Sequence, residues 1–228
     1  MNIYAIGDLH LSFSVGPGKA MDMFGDAWVN HTEKLKTNWL KLIAPDDIVL
    51  LPGDFSWAMK LEEAMPDFAW INTLPGKKIF VRGNHDLWWG SLKKMKLLYP
   101  DITFIQNDSV VIGDIAIMGS RGWIGPDDSD FSEENDRPIY ERERLRFDMS
   151  FETLKDKKYK KLICVTHFPP FGFTDLFKKY GVDYVVYGHL HGENAFLSGP
   201  EGIIDGISYK LCSFDKLKGV PQLICKVD

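Results

Sequence analysis

Five short segments of the sequence share one design, and that design constrains the fold more than any other feature. Each segment is an apolar, β-branched run that stops abruptly at a cluster of polar residues. The five are NIYAI before GDLH, DIVLL before PGDF, KIFV before RGNHD, KLICV before THF, and DYVVY before GHLH. Continuous apolar runs of this length are typical of strands that are buried on both faces. The pattern therefore predicts a core of buried strands whose ends carry polar side chains.

Helical patterns separate the first three strands, which predicts an α/β fold. Residues 28–43 and 61–74 place apolar side chains at helical spacing, and each pattern stops before a proline. A further helix is expected to begin near Ser132 and to end within residues 148–158.

The remaining β-rich segments indicate antiparallel pairing. Residues 102–118 contain ND and GD turn signals between β-rich runs, which predict hairpins, and the tail from Gly202 predicts more antiparallel strands. The order of elements favours two mixed β-sheets in a sandwich, with helices outside. No internal repeat or low-complexity linker is present, so residues 1–228 are expected to form a single domain.

The ends of the five strands collect most of the chemistry-bearing residues. In open α/β sheets, ligands bind beyond the carboxyl ends of the strands, so residues distant in sequence can meet there. Five of the six histidines follow these strands, and only His31 lies elsewhere. A lone buried histidine is usually a core residue, but five histidines with matched carboxylates indicate a metal site. The strand-end residues are Asp8, His10, Asp54, Asn84, His85, Asp86, His167, His189 and His191.

The blocks D-L-H, G-D, G-N-H-D, H and G-H-L-H, in this order, resemble the calcineurin-like metallophosphoesterase family. The blocks span Asp8 to His191, and their combination is specific although any single block would be weak. The resemblance implies a four-layer α/β sandwich and a binuclear centre of manganese, iron or zinc. By resemblance, Asp8, His10 and His191 hold the first metal, and Asn84, His167 and His189 hold the second. Asp54 is implied to bridge the two metals.

The family chemistry is hydrolysis of a phosphate monoester or diester. Two cations neutralise the phosphoryl oxygens and lower the pKa of a bridging water, whose hydroxide attacks the phosphorus. His85 stands beside a ligand in sequence, and its expected role is to protonate the leaving oxygen. Asp86 is expected to accept a hydrogen bond from the other ring nitrogen of His85 and so fix the tautomer.

Cations and aromatic residues near the blocks are candidates for substrate contact. Arg121, and with less support Arg82, could grip a phosphate bidentately. The aromatic residues Trp57, Trp88 and Trp123 could form a slot for an apolar or planar leaving group. The alternating charges of residues 141–146 instead predict a solvated, salt-bridged helix face.

Two long polar excursions follow strands and could cover the site. They span residues 13–26 and 119–138, and both are rich in glycine. Loops of this length in a compact domain are usually functional or disordered. Both are expected at the end of the sheet that carries the strand-end residues.

Composition narrows the function classes. The formal net charge of −5 disfavours binding to extended nucleic acid, which usually needs a basic excess, so a small phosphate ester is the expected substrate. Three widely spaced cysteines offer neither a disulfide framework nor a cysteine-rich zinc site. A signal-peptide pattern and a membrane-spanning apolar run are both missing from the sequence, so a cytoplasmic protein is expected.

Two other functions compete with the small-molecule phosphoesterase. A nuclease acting on nucleic-acid ends would use the same metals, but the negative charge counts against it. A non-catalytic scaffold of the same fold could lose a ligand or the catalytic histidine, whereas all blocks are intact here. Monoesterase and diesterase activity remain equal alternatives, and no sequence feature fixes the oligomeric state.

Overall fold

A computed structural model describes residues 1–15, 21–99 and 101–227 of the chain. Part of the excursion expected at residues 13–26 thus lies outside the described residues. The described strands are β1 (Asn2–Ala5), β2 (Ile48–Leu51), β3 (Lys77–Val81), β4 (Ile102–Ile105), β5 (Ser109–Ile112), β6 (Ile115–Gly119), β7 (Lys161–Val165), β8 (Tyr184–Tyr187), β9 (Gly202–Ile204), β10 (Ile207–Leu211) and β11 (Gln222–Lys226). The described α-helices are α1 (His31–Leu42), α2 (Leu61–Asn72), α3 (Leu92–Leu98), α4 (Arg137–Glu152), α5 (Thr174–Tyr180), α6 (Glu193–Phe196) and α7 (Phe214–Leu217). Short 3₁₀ turns cover Met21–Phe24 and Phe171–Phe173.

The strands form two mixed sheets. The first has the order β11-β1-β2-β3-β4, in which β1 to β4 run parallel and β11 pairs antiparallel with β1. The second has the order β5-β6-β7-β8-β10-β9, with a parallel centre and antiparallel pairs at both edges. The five apolar runs of the sequence are β1, β2, β3, β7 and β8, so all five lie in the parallel parts.

The two-residue period of the strands sorts their side chains into separate cores. In β2, Ile48 and Leu50 pack between the sheets, whereas Val49 and Leu51 pack against the helices. In β7, Ile163 lies between the sheets, and Cys164 faces the opposite helical layer. Three cores therefore separate four layers, helices–sheet–sheet–helices, and the fold class predicted from the sequence is confirmed.

Several local predictions need correction. Residues Ile102–Ile105 do not belong to a hairpin, because they pair parallel with β3 at the edge of the first sheet. Helix α4 spans Arg137–Glu152, so it begins five residues later than predicted and ends within the predicted range. Within the solvated face predicted for residues 141–146, Glu143 is fully buried. None of the helices in the described ranges is long and apolar enough to cross a bilayer.

Candidate metal centre

The two sheets converge at the carboxyl ends of their central parallel strands. The backbone N–H of Gly7, after β1, donates to the carbonyl of Cys212, after β10, at 2.7 Å. The ends of β1, β2 and β3 thereby face the ends of β7 and β8. All seven predicted metal ligands lie along this edge, and we call them the metal-ligand cluster: Asp8, His10, Asp54, Asn84, His167, His189 and His191.

Unusual backbone conformations aim several of these side chains. Nine non-glycine residues in the described chain have positive φ, and four of them belong to the metal-ligand cluster. Their φ values are 54° at Asp8, 46° at His10, 51° at Asp54 and 73° at His189. Left-handed backbone is costly for such residues and persists where the surroundings enforce it, as at functional sites.

Two glycines allow the carboxylates to approach the backbone closely. A Cβ atom at position 83 would lie 2.1 Å from Asp54 Oδ1, and one at position 188 would lie 2.5 Å from Asp8 Oδ2. Both separations are far below contact distance, so only glycine fits. These glycines explain two of the small residues that precede the ligands in the sequence blocks.

The first group of ligand atoms joins Asp8, His10 and His191. One ligand atom from each lies within 4.8 Å of the other two. His191 Nε2 lies 3.8 Å from Asp8 Oδ1. The other ring nitrogen of His191, Nδ1, lies 3.1 Å from Asp215 Oδ1. The second oxygen of Asp215, Oδ2, accepts a hydrogen bond from the backbone N–H of Gly192, which holds the carboxylate in place. A carboxylate behind a histidine is the usual partner of a metal ligand, because it fixes the tautomer.

The second group joins Asn84, His167 and His189. His167 Nδ1 lies 2.9 Å from the carbonyl of Pro52, which can only accept, so Nδ1 carries the proton and Nε2 has a lone pair. That lone pair lies 2.5 Å from Asn84 Oδ1 and 3.2 Å from His189 Nδ1. The contact between His167 Nε2 and Asn84 Oδ1 joins two acceptors, which repel each other at this distance. A bound cation at this position would relieve the repulsion, so the donor set fits a metal ion.

Asp54 lies between the two groups. Its Oδ2 atom is 3.9 Å from His10 Nε2 on one side and 3.5 Å from His167 Nε2 on the other. Its Oδ1 atom accepts a hydrogen bond from the backbone N–H of His85 at 2.8 Å. One carboxylate therefore contacts both sets of ligand atoms.

The cluster is electrostatically unfavourable without cations. Burial raises the pKa of Asp8 to about 7 and that of Asp54 to about 6, because a buried carboxylate loses its hydration. Burial also lowers the pKa values of His167 and His189 to about 3. Burial lowers the pKa of His191 as well, but its bond to Asp215 and the charge of Asp8 outweigh this and leave the value raised. The carboxylates therefore resist ionisation until a cation is near, whereas most of the imidazoles stay neutral, and the neutral imidazole is the form that binds a metal.

The hydrogen-bond partner predicted for Asp86, the ring of His85, is wrong. Within the described chain, Asp86 makes no hydrogen bond to the His85 ring. Its two oxygens accept instead from four backbone N–H groups and one indole, which belong to Asp54, Phe55, Ser56, Gly83 and Trp88. Asp86 thus ties the loop after β2 to the loop after β3. It positions Asp54 rather than His85.

A cavity of about 810 Å³ opens beside the first group of ligands. His85 and Trp57 both line it, and their rings meet edge to face at 4.6 Å. Trp57 also stacks on the His10 ring at 4.5 Å. Further walls come from Met21 and Phe24, in the excursion at residues 13–26, and from residues that the sequence did not single out, namely Trp28, Phe196 and Lys216.

Trp88 and Trp123 do not line this cavity, so the predicted three-tryptophan slot does not form. Trp88 is 3% exposed and packs edge to face on Phe68 in the core. The Trp123 ring packs on Phe168, which in turn lies against His189 at 4.2 Å. Of the predicted aromatic wall, only Trp57 is present.

Arg121 also does not line the cavity beside the first group of ligands, which we call the main or metal-ligand cavity. Its guanidinium stacks on Trp123 at 4.7 Å and lines a second, smaller cavity together with Arg82. The excursion at residues 119–138 thus contributes to that second cavity through its first residues. The excursion at residues 13–26 contributes Met21, Phe24 and neighbouring residues to the main cavity.

Asp215 is the clearest site residue that sequence reasoning missed. It follows β10, which ends in no histidine or glycine block, so no motif marks it. Its importance arises because β10 pairs parallel with β8, which places Asp215 beside His191.

Comparison with known proteins gives one family match. The family model for calcineurin-like phosphoesterases matches residues 1–193. A search of curated proteins finds no match.

Several solved structures share the fold at low sequence identity. Phosphopantetheinyl hydrolase (PptH) from Mycobacterium tuberculosis is 15% identical with a TM-score of 0.60, over 98% of this chain and 95% of that one. Protein AQ665 of unknown function from Aquifex aeolicus is 17% identical with a TM-score of 0.54, over 97% and 95%. The sulfate thiohydrolase SoxB from Thermus thermophilus is 12% identical with a TM-score of 0.50, over 93% and 51%. At these identities the likeness establishes the fold alone.

Proposed function

The chain belongs to the calcineurin-like phosphoesterase family of metal-dependent hydrolases, and from this we propose a binuclear phosphoesterase that acts on a small phosphate ester with an apolar portion. Asp8, His10 and His191 form one metal site, and Asn84, His167 and His189 form the other. Because the ligands come from both sheets, we propose that the sheets act as one domain.

The position of Asp54 carries the proposal of two metals. In a site for one metal, a carboxylate ligand would lie beside one set of ligand atoms only. Here the same oxygen, Oδ2, faces His10 Nε2 at 3.9 Å and His167 Nε2 at 3.5 Å. A pair of divalent ions would supply charge that neutralises phosphoryl oxygens and lowers the pKa of a bound water. The ligand types suit manganese, iron or zinc.

His85 is the residue that we propose to transfer the proton. Its backbone N–H is fixed by Asp54, so the side chain begins beside the cluster, and its ring is exposed in the main cavity. The ring contacts Trp57 edge to face, which restricts its position without occupying either ring nitrogen. Such a ring can donate a proton to the leaving oxygen of an ester bound in the cavity.

The walls of the main cavity favour a leaving group with an apolar part. Trp28, Trp57, Phe24, Phe196 and Met21 present apolar surface there, beside the residues of the metal-ligand cluster. A volume of about 810 Å³ is within the range of small-molecule sites. A phosphate at the metals with an aromatic or aliphatic moiety against these walls would use both parts of the cavity.

A screen of paired esters tests the proposal. Manganese-loaded protein is assayed with mono- and diesters of the same alcohol, in a small polar and a bulky apolar version. The proposal predicts hydrolysis with a lower KM for the apolar version. Equal KM values would contradict the apolar wall, and no hydrolysis of any ester would contradict the function.

The His85→Ala variant tests the proton donor separately. It should retain its metals but lose about 10²–10⁴-fold in kcat toward alkyl esters, whose leaving groups need a proton. An activated aryl ester should lose much less, because its leaving group departs as an anion. Equal losses for both esters would overturn the proton-donor role.

A further inference from the structure

A second cavity lies at the strand ends next to the metal-ligand cluster. It has a volume of about 100 Å³, roughly that of three water molecules. We call it the arginine cavity because four arginines line it, together with three other residues: Arg82, Arg121, Arg142, Arg146, Ile105, Gln106 and Ser120. These residues come from the ends of β3, β4 and β6 and from α4. The cavity shares no lining residue with the metal-ligand cavity.

The positive charge of the arginine cavity is only partly balanced. Glu143, fully buried, lies 2.6 Å from Arg146 and 3.9 Å from Arg121. Its other oxygen accepts from the Ser120 hydroxyl and the N–H of Gly122. Arg82 and Arg142 form no ion pair with any carboxylate of the described residues. Four guanidinium groups therefore face a single carboxylate.

Two of the arginines that line the cavity also have buried donor atoms without acceptors. The Nε atoms of Arg82 and Arg121 are buried and have no hydrogen-bond partner in the described chain. A buried, unsatisfied donor on a charged group is costly. Burial lowers the pKa of Arg121, and the nearby charges of Arg82, Arg146 and Arg142 lower it further against the opposing effect of Glu143. An oxyanion in the cavity would relieve the repulsion between the guanidinium groups.

We propose that the arginine cavity binds a phosphate group, at a site distinct from the metal centre. Guanidinium groups bind phosphate through paired hydrogen bonds, and several can share its oxygens. Arg142 is exposed and forms the solvent side of the cavity, so an anion can enter there.

The arginine cavity is connected to the metal centre through the backbone. Arg82 is followed by Gly83 and Asn84 in sequence, and the carbonyl of Arg121 accepts from the N–H groups of His167 and Phe168, each at 3.0 Å. A bound phosphate therefore lies next to groups that position two proposed ligands. It can belong either to free phosphate or to a second phosphate on the substrate.

Calorimetric titration with inorganic phosphate tests the site in the metal-loaded full chain. Wild-type protein should show two binding events per chain. A chelator should remove one, and the Arg142→Gln substitution should weaken the other by about tenfold or more, as expected for one lost charged hydrogen bond. Arg137→Gln is the matched control, because it makes the same charge change on α4 at a side chain paired with Glu133 outside the cavity.

The outcomes separate the arginine cavity from the proposed activity. A phosphate event that survives in the chelated protein and is weakened in Arg142→Gln but not in Arg137→Gln supports the site, whether or not any ester is hydrolysed. One event, abolished by the chelator and unchanged in Arg142→Gln, overturns it. Equal weakening in Arg137→Gln would also overturn it, since the effect would then be general electrostatics. Arg82→Gln serves as a second variant on a different element and should give the same loss.

Kinetics with two substrates distinguish the sources of the phosphate. Arg142→Gln should raise the KM of an ester that carries a second phosphate, with kcat unchanged, if the substrate supplies the group. If both a singly and a doubly phosphorylated ester keep their KM while phosphate binding is weakened, free phosphate is the ligand. Either result supports the site and assigns its source.

Discussion

The metal-ligand cluster and the arginine cavity are neighbours on one edge of the sandwich, yet their charges are opposite. The cluster gathers lone pairs and buried carboxylates, whose pKa values are raised by burial, and its acceptors face one another. The arginine cavity gathers guanidinium donors around a single carboxylate. Each region is locally unbalanced in the free chain. The comparison teaches that a buried charge cluster indicates its ligand by what it lacks, cations in one case and an anion in the other.

Removing a ligand from the metal-ligand cluster should have the largest effect. His167→Ala should reduce turnover to background and lower metal content by at least one ion per chain, because His167 Nε2 faces both Asn84 and Asp54. Metal analysis and an aryl ester assay measure the change. His31→Ala is the control, since His31 is also a buried histidine but lies outside the cluster. Full metal content in His167→Ala would refute the ligand assignment.

Glu143→Gln should give the largest effect in the arginine cavity. Removing the one buried carboxylate leaves Arg121 and Arg146 without their partner, and breaking a buried pair costs about 3–5 kcal/mol in the free energy of unfolding. Denaturant unfolding measures this loss. Added phosphate should restore more stability to this variant than to wild type, because the anion replaces the missing charge. If phosphate stabilised wild type and Glu143→Gln equally, the arginine cavity would not be a region that lacks an anion, and the contrast with the metal-ligand cluster would fail.

Asp215→Asn should have a smaller effect on the metal-ligand cluster. The substitution weakens the acceptor that holds His191 Nδ1, so metal affinity should fall by about 10–100-fold. Competition with a chelating dye measures the affinity. Asp148→Asn, at a surface carboxylate paired with Lys179, is the control and should leave it unchanged. Unchanged affinity in Asp215→Asn would mean that His191 needs no such partner.

Lowering the pH should produce the mildest effect. Without metal, Asp8 and Asp54 have raised pKa values of about 7 and about 6, so below these values each must lose a proton before it binds a cation. His167 and His189, with pKa values of about 3, stay neutral and do not compete. Metal affinity should therefore fall from pH 8 to pH 6, by about tenfold for the proton on Asp8 and about twofold for the proton on Asp54. Calorimetry in two buffers counts the released protons, and zero release at pH 6 would contradict the raised values.

The sequence predicted which residues gather in the metal-ligand cluster better than it predicted the rest of the site. Asp8 and Asp54 follow neighbouring parallel strands of one sheet, whose carboxyl ends share an edge, so the strand pattern alone brings these two together. His167 follows a strand of the other sheet, and the order of the sequence blocks, by resemblance to the family, supplied its place. The partner of His191 could not be found this way, because Asp215 follows an edge-side strand with no motif. The pairing of β10 with β8 arises only in the tertiary structure, and no local sequence pattern indicates it.

The errors in the prediction also have physical reasons. Trp88 follows a ligand block, but its indole donates to buried Asp86 and so turns into the core. The charges of residues 141–146 alternate like a solvated face, yet Glu143 is buried because Arg121 and donors of the segment after β6 contact it. The arginine cavity itself depends on which strands of the two sheets face each other, and a single sequence does not contain that information.

Metal stoichiometry tests the central claim most directly. Protein purified with manganese, freed of loosely bound metal and analysed by plasma mass spectrometry should contain two ions per chain, falling to one or none in Asp54→Ala. Wild-type protein with no more than a trace of transition metal after manganese loading would contradict the account.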